Sequence, residues 1–143
     1  MNRHQNTNLV LAAGFLAARA AEFVVVGGCA LLLHGWDHEP ADLDVVPAPS
    51  PANLQRLFDA LDELGTVGPI WRPTAHALGT RDIVTRVTPI GKVDVLLGGG
   101  RTEHTALAAA ATSMRVGRRS VRVAPIDDVL RRRVRFGTVR VYA

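Results

Sequence analysis

The spacing of hydrophobic positions changes several times along the chain, and each change predicts an element. Leu9–Ala21 is apolar and small, with Arg19 and Glu22 breaking the run, which predicts an amphipathic or buried helix. Phe23–Val26 is a β-branched and aromatic run suited to a buried strand, and Cys29–His34 is an apolar run long enough for about two helical turns. Leu43–Pro47 reads as the next strand. Ser50 then caps a helix with Pro51 at its first position, Leu54, Leu57, Phe58, Leu61 and Leu64 as its stripe, and Gly65 as its stop. Strands are expected at Ile70–Arg72, Ile83–Pro89 and Val93–Leu97, followed by a flexible break at Gly98–Gly100. His104–Ser113 is alanine-rich and predicts a helix. Arg115–Val116 and Ser120–Val123 flank Gly117-Arg118 as a hairpin. Pro125 opens a helix to about Arg133, with Asp127 and Asp128 in its first turn and arginines in its last, as the helix dipole favours. Strands interleaved with helices give an α/β or α+β class.

Chemistry enters through the acids on two of these strands. In an extended strand alternate side chains share a face, so Asp42 and Asp44 point together while Leu43 and Val45 point into the core. Two like charges side by side repel, and the least costly compensation is a divalent cation; hard oxygen donors suit magnesium or manganese. Gly27-Gly28 forms the turn between the strand and helix before them. Its backbone could approach a ligand closely, and free N–H groups at a helix start favour phosphate; plain turn chemistry is the other reading. A third acid, Asp94, stands amid apolar residues in Gly91–Leu97. It is either paired or metal-bound in a buried strand, or solvated beside Lys92 on a polar face.

Gly27-Gly28, thirteen residues, Asp42-Leu43-Asp44 with apolar flanks, and later an apolar-Asp94-apolar strand together resemble the nucleotidyltransferase fold of the DNA polymerase beta superfamily. VVVGGCALLLHG followed by DLDVV is similar to small bacterial nucleotidyltransferase-like proteins, including the toxin-type enzymes of abortive-infection and toxin–antitoxin systems. The resemblance spans about residues 20–100 and implies a mixed sheet with helices packed mainly on one face. It further implies metal-dependent transfer of an NMP from an NTP to an acceptor hydroxyl of an RNA 3′ end, a protein or a small molecule. In that family Asp42 and Asp44 would hold two ions, Mg2+ or Mn2+, and Asp94 would complete one site and take the acceptor's proton. Gly27 and Gly28 would lie beside the triphosphate. Arg81, Arg86 and Lys92 lie on strands near Asp94, where one would neutralise triphosphate charge or else form a salt bridge to the acids, and Arg133 falls where several relatives have a basic residue on a later helix. Many relatives carry Arg-x-Thr or Arg-x-Ser before the first acid, where this chain has His38-Glu39-Pro40-Ala41. Many also continue into a helical domain, so the resemblance implies a protein partner supplying that half, or reduced or absent activity. The partners expected are NTP with tRNA or another RNA, or such a protein. The alternatives are a non-catalytic nucleotide-binding or regulatory module of the same fold, and an arginine-rich RNA-binding protein.

Composition narrows the rest. The 143 residues suit one domain, 1–143, with a single core, and 48% apolar content argues against disorder. The single cysteine, Cys29, excludes an internal disulfide and a cysteine-cluster zinc site, and it reads as a small packed residue. The apolar N-terminal run falls short of the roughly 20 residues needed to span a bilayer and carries no export pattern, so no membrane association and a cytoplasmic location are expected. The net charge of +4 hides an asymmetry: Lys92 is the only lysine, and nine arginines lie between Arg115 and Arg140. That half is a candidate polyanion surface, although it lacks the aromatic interleaving of base-stacking sites. His34 reads as a helix-end histidine bonding a carbonyl, His38 as a solvated loop residue, and Trp36 and Trp71 as packing residues.

Overall fold

The computed structural model describes residues 3–65 and 82–135, with side chains at 8–65 and 82–131. Helix α1 (Arg3–Ala18) leads into β1 (Phe23–Val26), α2 (Gly27–Leu33), β2 (Asp42–Pro47) and α3 (Pro51–Leu64). After the interval come β3 (Ile83–Thr88), β4 (Gly91–Leu96), α4 (Gly100–Ala110), β5 (Thr112–Val116), β6 (Arg119–Val123) and α5 (Ile126–Arg135). The strands form one mixed sheet in the order β3-β4-β2-β1-β6-β5. Pairs β2–β4 and β1–β6 are parallel, and the remaining pairs are antiparallel.

Strand alternation divides this sheet into two unlike faces. Val25, Leu43, Val45, Val93, Val95, Val121 and Val123 share one face and are fully buried, in one core with Leu9, Ala12, Ala13 and Leu16 of α1 and Leu54, Leu57, Phe58 and Leu61 of α3. Each such Leu or Val contributes roughly 1.5–3 kcal/mol by leaving water. The opposite face carries Val24, Val26, Asp42, Asp44, Lys92, Asp94 and Arg122. Helix α4 lies over the β1–β6 part of it, where the Arg122 guanidinium donates to the Ala108 carbonyl. Helices therefore pack mainly on one face, and among the described residues no helix covers the β2–β4–β3 part of the other face around the acids.

Helix α3 is fastened to the sheet by a residue outside its apolar stripe. Asn53, buried at 1% exposure, accepts from the Glu22 amide at 2.7 Å and donates to the Glu22 and Ala48 carbonyls at 2.8 Å each. It ties the entry of β1 to the exit of β2. Its own amide donates to the Ser50 hydroxyl at 3.2 Å, the capping bond that the Ser50-Pro51 start predicts.

Several boundaries differ from the sequence expectation. Thr112 and Ser113 belong to a strand and not to the alanine-rich helix, because they pair with Val123 and Arg122; pairing in the sheet outweighs the local helical pattern. Helix α1 ends at Ala18: Ala20 takes φ +64° and the Ala21 amide turns back to the Leu16 carbonyl. The glycines at 98–100 form a tied turn in place of a loose break, since the Leu97 and Gly98 amides both donate to the Asp82 carbonyl and Gly100 opens α4. The expected strand Ile70–Arg72, with Trp71, and Arg81 lie outside the described residues.

Candidate metal centre

Parallel pairing of β2 with β4 brings the three acids together. Asp44 is the register partner of Asp94, and Asp42 that of Lys92, so Asp42, Asp44 and Asp94 sit on adjacent strands of one face. One carboxylate oxygen from each lies within 4.8 Å of the others. The antiparallel partner on the far side, β3, places Thr85 beside Asp94 and Val87 beside Lys92. Two short rows result: Thr85, Asp94, Asp44 and Val26 across four strands, and Val87, Lys92 and Asp42 across three.

The two outer acids are held by donors. Lys92 Nζ is 3.5 Å from Asp42 Oδ2, and the Thr85 hydroxyl donates to Asp94 Oδ1 at 2.6 Å. Asp44, between them, is the deepest. Burial first, and the Asp94 and Asp42 charges next, push its carboxyl up to about 7; Lys92 offsets only part of this. Burial also raises Asp42, against the lowering effect of Lys92. A divalent cation would relieve both causes at once, and an all-carboxylate donor set matches hard ions such as magnesium or manganese. The residues fit such an ion.

The glycine turn abuts this cluster. Val26 is the register partner of Asp44, so the chain leaving β1 passes directly beside that carboxylate. Gly27 has φ +68°, and a Cβ there would collide with Asp44 Oδ2. Gly28 is different: a Cβ would lie 2.7 Å from His38 Nε2 and 3.1 Å from Pro40 Cβ. Its side-chain space is filled by the loop that precedes Asp42. His38 is accordingly buried at 6% exposure, in contrast to the solvated loop histidine expected. Cys29 donates through Sγ to the Asp42 carbonyl at 3.4 Å, and burial, then Asp44 and Asp42, push its thiol up to about 12; it is a packed strut between α2 and β2.

Other candidates stand away from the acids. Arg86 points to the opposite face, buried at 3% exposure with its guanidinium 5.3 Å from the Phe58 ring centroid, because β3 alternation puts it with Val84 and not with Thr85. His34 Nε2 donates to the Ala124 carbonyl at 2.7 Å, and Trp36 packs against the core, as expected of both. The side chain of Arg133 lies outside the described residues. The arginines of the β5–β6 hairpin do not form one stripe: alternation sends Arg115 and Arg122 to the α4 side of the sheet and Arg119 to the other. A separate cavity of about 590 Å3, lined by Glu22, Phe23, His104, Ala108 and Arg122 among others, opens at the start of β1, the end remote from the acids. Among the described residues no helix is long and apolar enough to cross a membrane. Sequence reasoning missed Thr85, whose signal was its place between Ile83 and Val87 on an alternating strand.

Comparison with known proteins bears on the fold. A solved structure of a "putative nucleotidyltransferase from H. pylori" is similar over 94% of this chain, with a TM-score of 0.53 and 14% identity. The chain corresponds to 59% of the length of that protein. No protein-family model and no curated protein sequence matches the chain. The architecture is therefore a nucleotidyltransferase fold.

Proposed function

We propose that this chain is a metal-dependent nucleotidyltransferase that moves an NMP from an NTP to an acceptor hydroxyl. The observation that carries the reading is the convergence of Asp42, Asp44 and Asp94 on one sheet face beside the Gly27 turn. Asp42, Asp44 and Asp94 would hold Mg2+ or Mn2+, which when bound supplies charge stabilisation for the attacking and leaving oxygens. The chain's own groups have distinct tasks. Asp94 accepts the proton of the incoming hydroxyl as its oxygen bonds to the α-phosphorus and the bond to pyrophosphate breaks. Lys92, half-exposed beside Asp42, exchanges its carboxylate partner for triphosphate oxygens. Gly27, with no Cβ, keeps the path to Asp44 clear. The acceptor is an RNA such as tRNA, a protein or a small molecule, and a protein partner, as in a toxin–antitoxin pair, supplies further contacts to base and acceptor.

The test incubates the protein with each labelled NTP, magnesium, and total RNA or candidate protein partners, and follows transferred label. Transfer by wild type, loss in Asp44→Asn with partial recovery in manganese, and NTP binding without turnover in Asp94→Asn would support the reading. Equal NTP binding by wild type and both variants, with no transfer to any acceptor, would favour the non-catalytic nucleotide-binding module instead.

A further inference from the structure

Among the described strands Asp94 is the acid nearest the β3 edge of the sheet, and its orientation is set by a neighbour outside the acidic cluster. Thr85 is its register partner on β3, and the Thr85 hydroxyl donates to Asp94 Oδ1 at 2.6 Å. A free aspartate on a strand rotates about χ2, a broad and weakly restrained torsion. A short bond to one oxygen from a side chain that is itself stiff at χ1 restricts that freedom and holds the carboxylate plane in one orientation. The other two acids stand differently: Asp44 is the more buried, and Asp42 faces Lys92 Nζ at 3.5 Å. Strand propensity accounts for a β-branched residue at this position but not for its hydroxyl. On this face the strand reads Ile83, Thr85, Val87, and both flanking side chains are exposed aliphatics, so the hydroxyl's polar neighbour is Asp94 on β4.

We propose that Thr85 is a positioning residue that fixes Asp94 for metal binding and for proton acceptance, which makes the edge strand β3 part of the working site. The inference rests on reading the three acids as a metal site, and its test is chosen to fail separately from the transfer reaction. Full-length wild type, Thr85→Val and Thr85→Ser are titrated with Mn2+, following the free ion by EPR, and their melting is compared without metal. Valine keeps the β-branched shape on an exposed strand position, so the metal-free midpoints should agree. Thr85→Val should weaken Mn2+ binding on the order of 10-fold, and lower kcat 10–100-fold with little change in KM for NTP, the range found for groups that orient metal ligands. Thr85→Ser, which restores the donor, should stay close to wild type. If the valine variant melts well below wild type, Thr85→Ala against Thr85→Ser gives the same contrast.

Equal Mn2+ affinity in the valine and wild-type proteins overturns the inference whatever the transfer assay reads, and so does a serine variant as weak as the valine one. A wild type that binds Mn2+ and transfers to no acceptor, with affinity lost in valine and kept in serine, upholds the role of Thr85 and counts against the transferase. A wild type with no Mn2+ affinity removes both.

Discussion

Single residues decide whether the cluster can exist, and Gly27 is the sharpest case. Its φ of +68° costs an L-residue roughly 1–2 kcal/mol. The larger effect is local, because a Cβ would meet Asp44 Oδ2. Gly27→Ala should therefore displace that carboxylate and lose most Mn2+ affinity, while melting within several degrees of wild type; isothermal titration showing unchanged affinity would refute the contact. Gly28→Val has a different expected result. The side chain would strike His38 and Pro40, so it should loosen the loop before Asp42 and lower stability first, which a urea titration would detect as a reduced midpoint. The acids were legible in the sequence because period-two alternation is a local property, and Asp42 and Asp44 need only their own strand to share a face. The different jobs of the two glycines were not legible, since what fills the space beside each comes from residues 10 to 17 positions away. His38 and Asp44 are placed there by the fold.

Elements and their boundaries were legible where a side-chain pattern acts within one segment. The Ser50-Pro51 start, the leucine stripe and the Gly65 stop gave α3 to the residue. Thr112–Val116 was read in part as helix because its strand character comes from pairing with β6, across a turn, and outvotes the alanines before it. The parallel register of β2 with β4, which brings the three acids together, left no local trace, since a parallel pair is joined by a long connection and not by a turn. Asn53 was silent for a related reason: its partners, Glu22 and Ala48, lie on two other segments. This latch gives a prediction at the scale of packing. Asn53→Ala leaves two carbonyls and an amide of the β1 and β2 ends without their buried partner, at a cost of about 3 kcal/mol. Chemical denaturation should show that loss, with Asn53→Asp nearly as harmful because the carboxylate cannot donate to the Glu22 and Ala48 carbonyls. A change under about 1 kcal/mol would mean that water replaces the amide at no great cost.

For the whole molecule, the fold stores like charge where an ion can release it, and stability should report this. The Asp44 carboxyl is raised to about 7 in the folded chain from an ordinary 3.8. Between those values the folded state holds a proton that the unfolded state has lost, so the slope of stability against pH is negative over that window. The contribution is fully present below about 4, declines as pH rises, and is gone above about 7, where the buried carboxylate is charged. A gap of this size is worth on the order of 4 kcal/mol. In EDTA, Asp44→Asn should match wild type near pH 3.5, where the Asp44 carboxyl is mostly protonated in the folded and unfolded chains alike, and be the more stable protein at pH 8, by a margin on the order of 4 kcal/mol at most. Magnesium should then reverse the ranking: an ion that binds the folded chain alone raises its melting temperature by mass action, and only the wild type retains the full donor set. Calorimetry at pH 3.5 and pH 8, with and without Mg2+, separates these effects. A metal-free Asn variant that is less stable than wild type at pH 8 would show that Asp44 is satisfied by the protein itself, and the reason for placing a cation among these three acids would be lost.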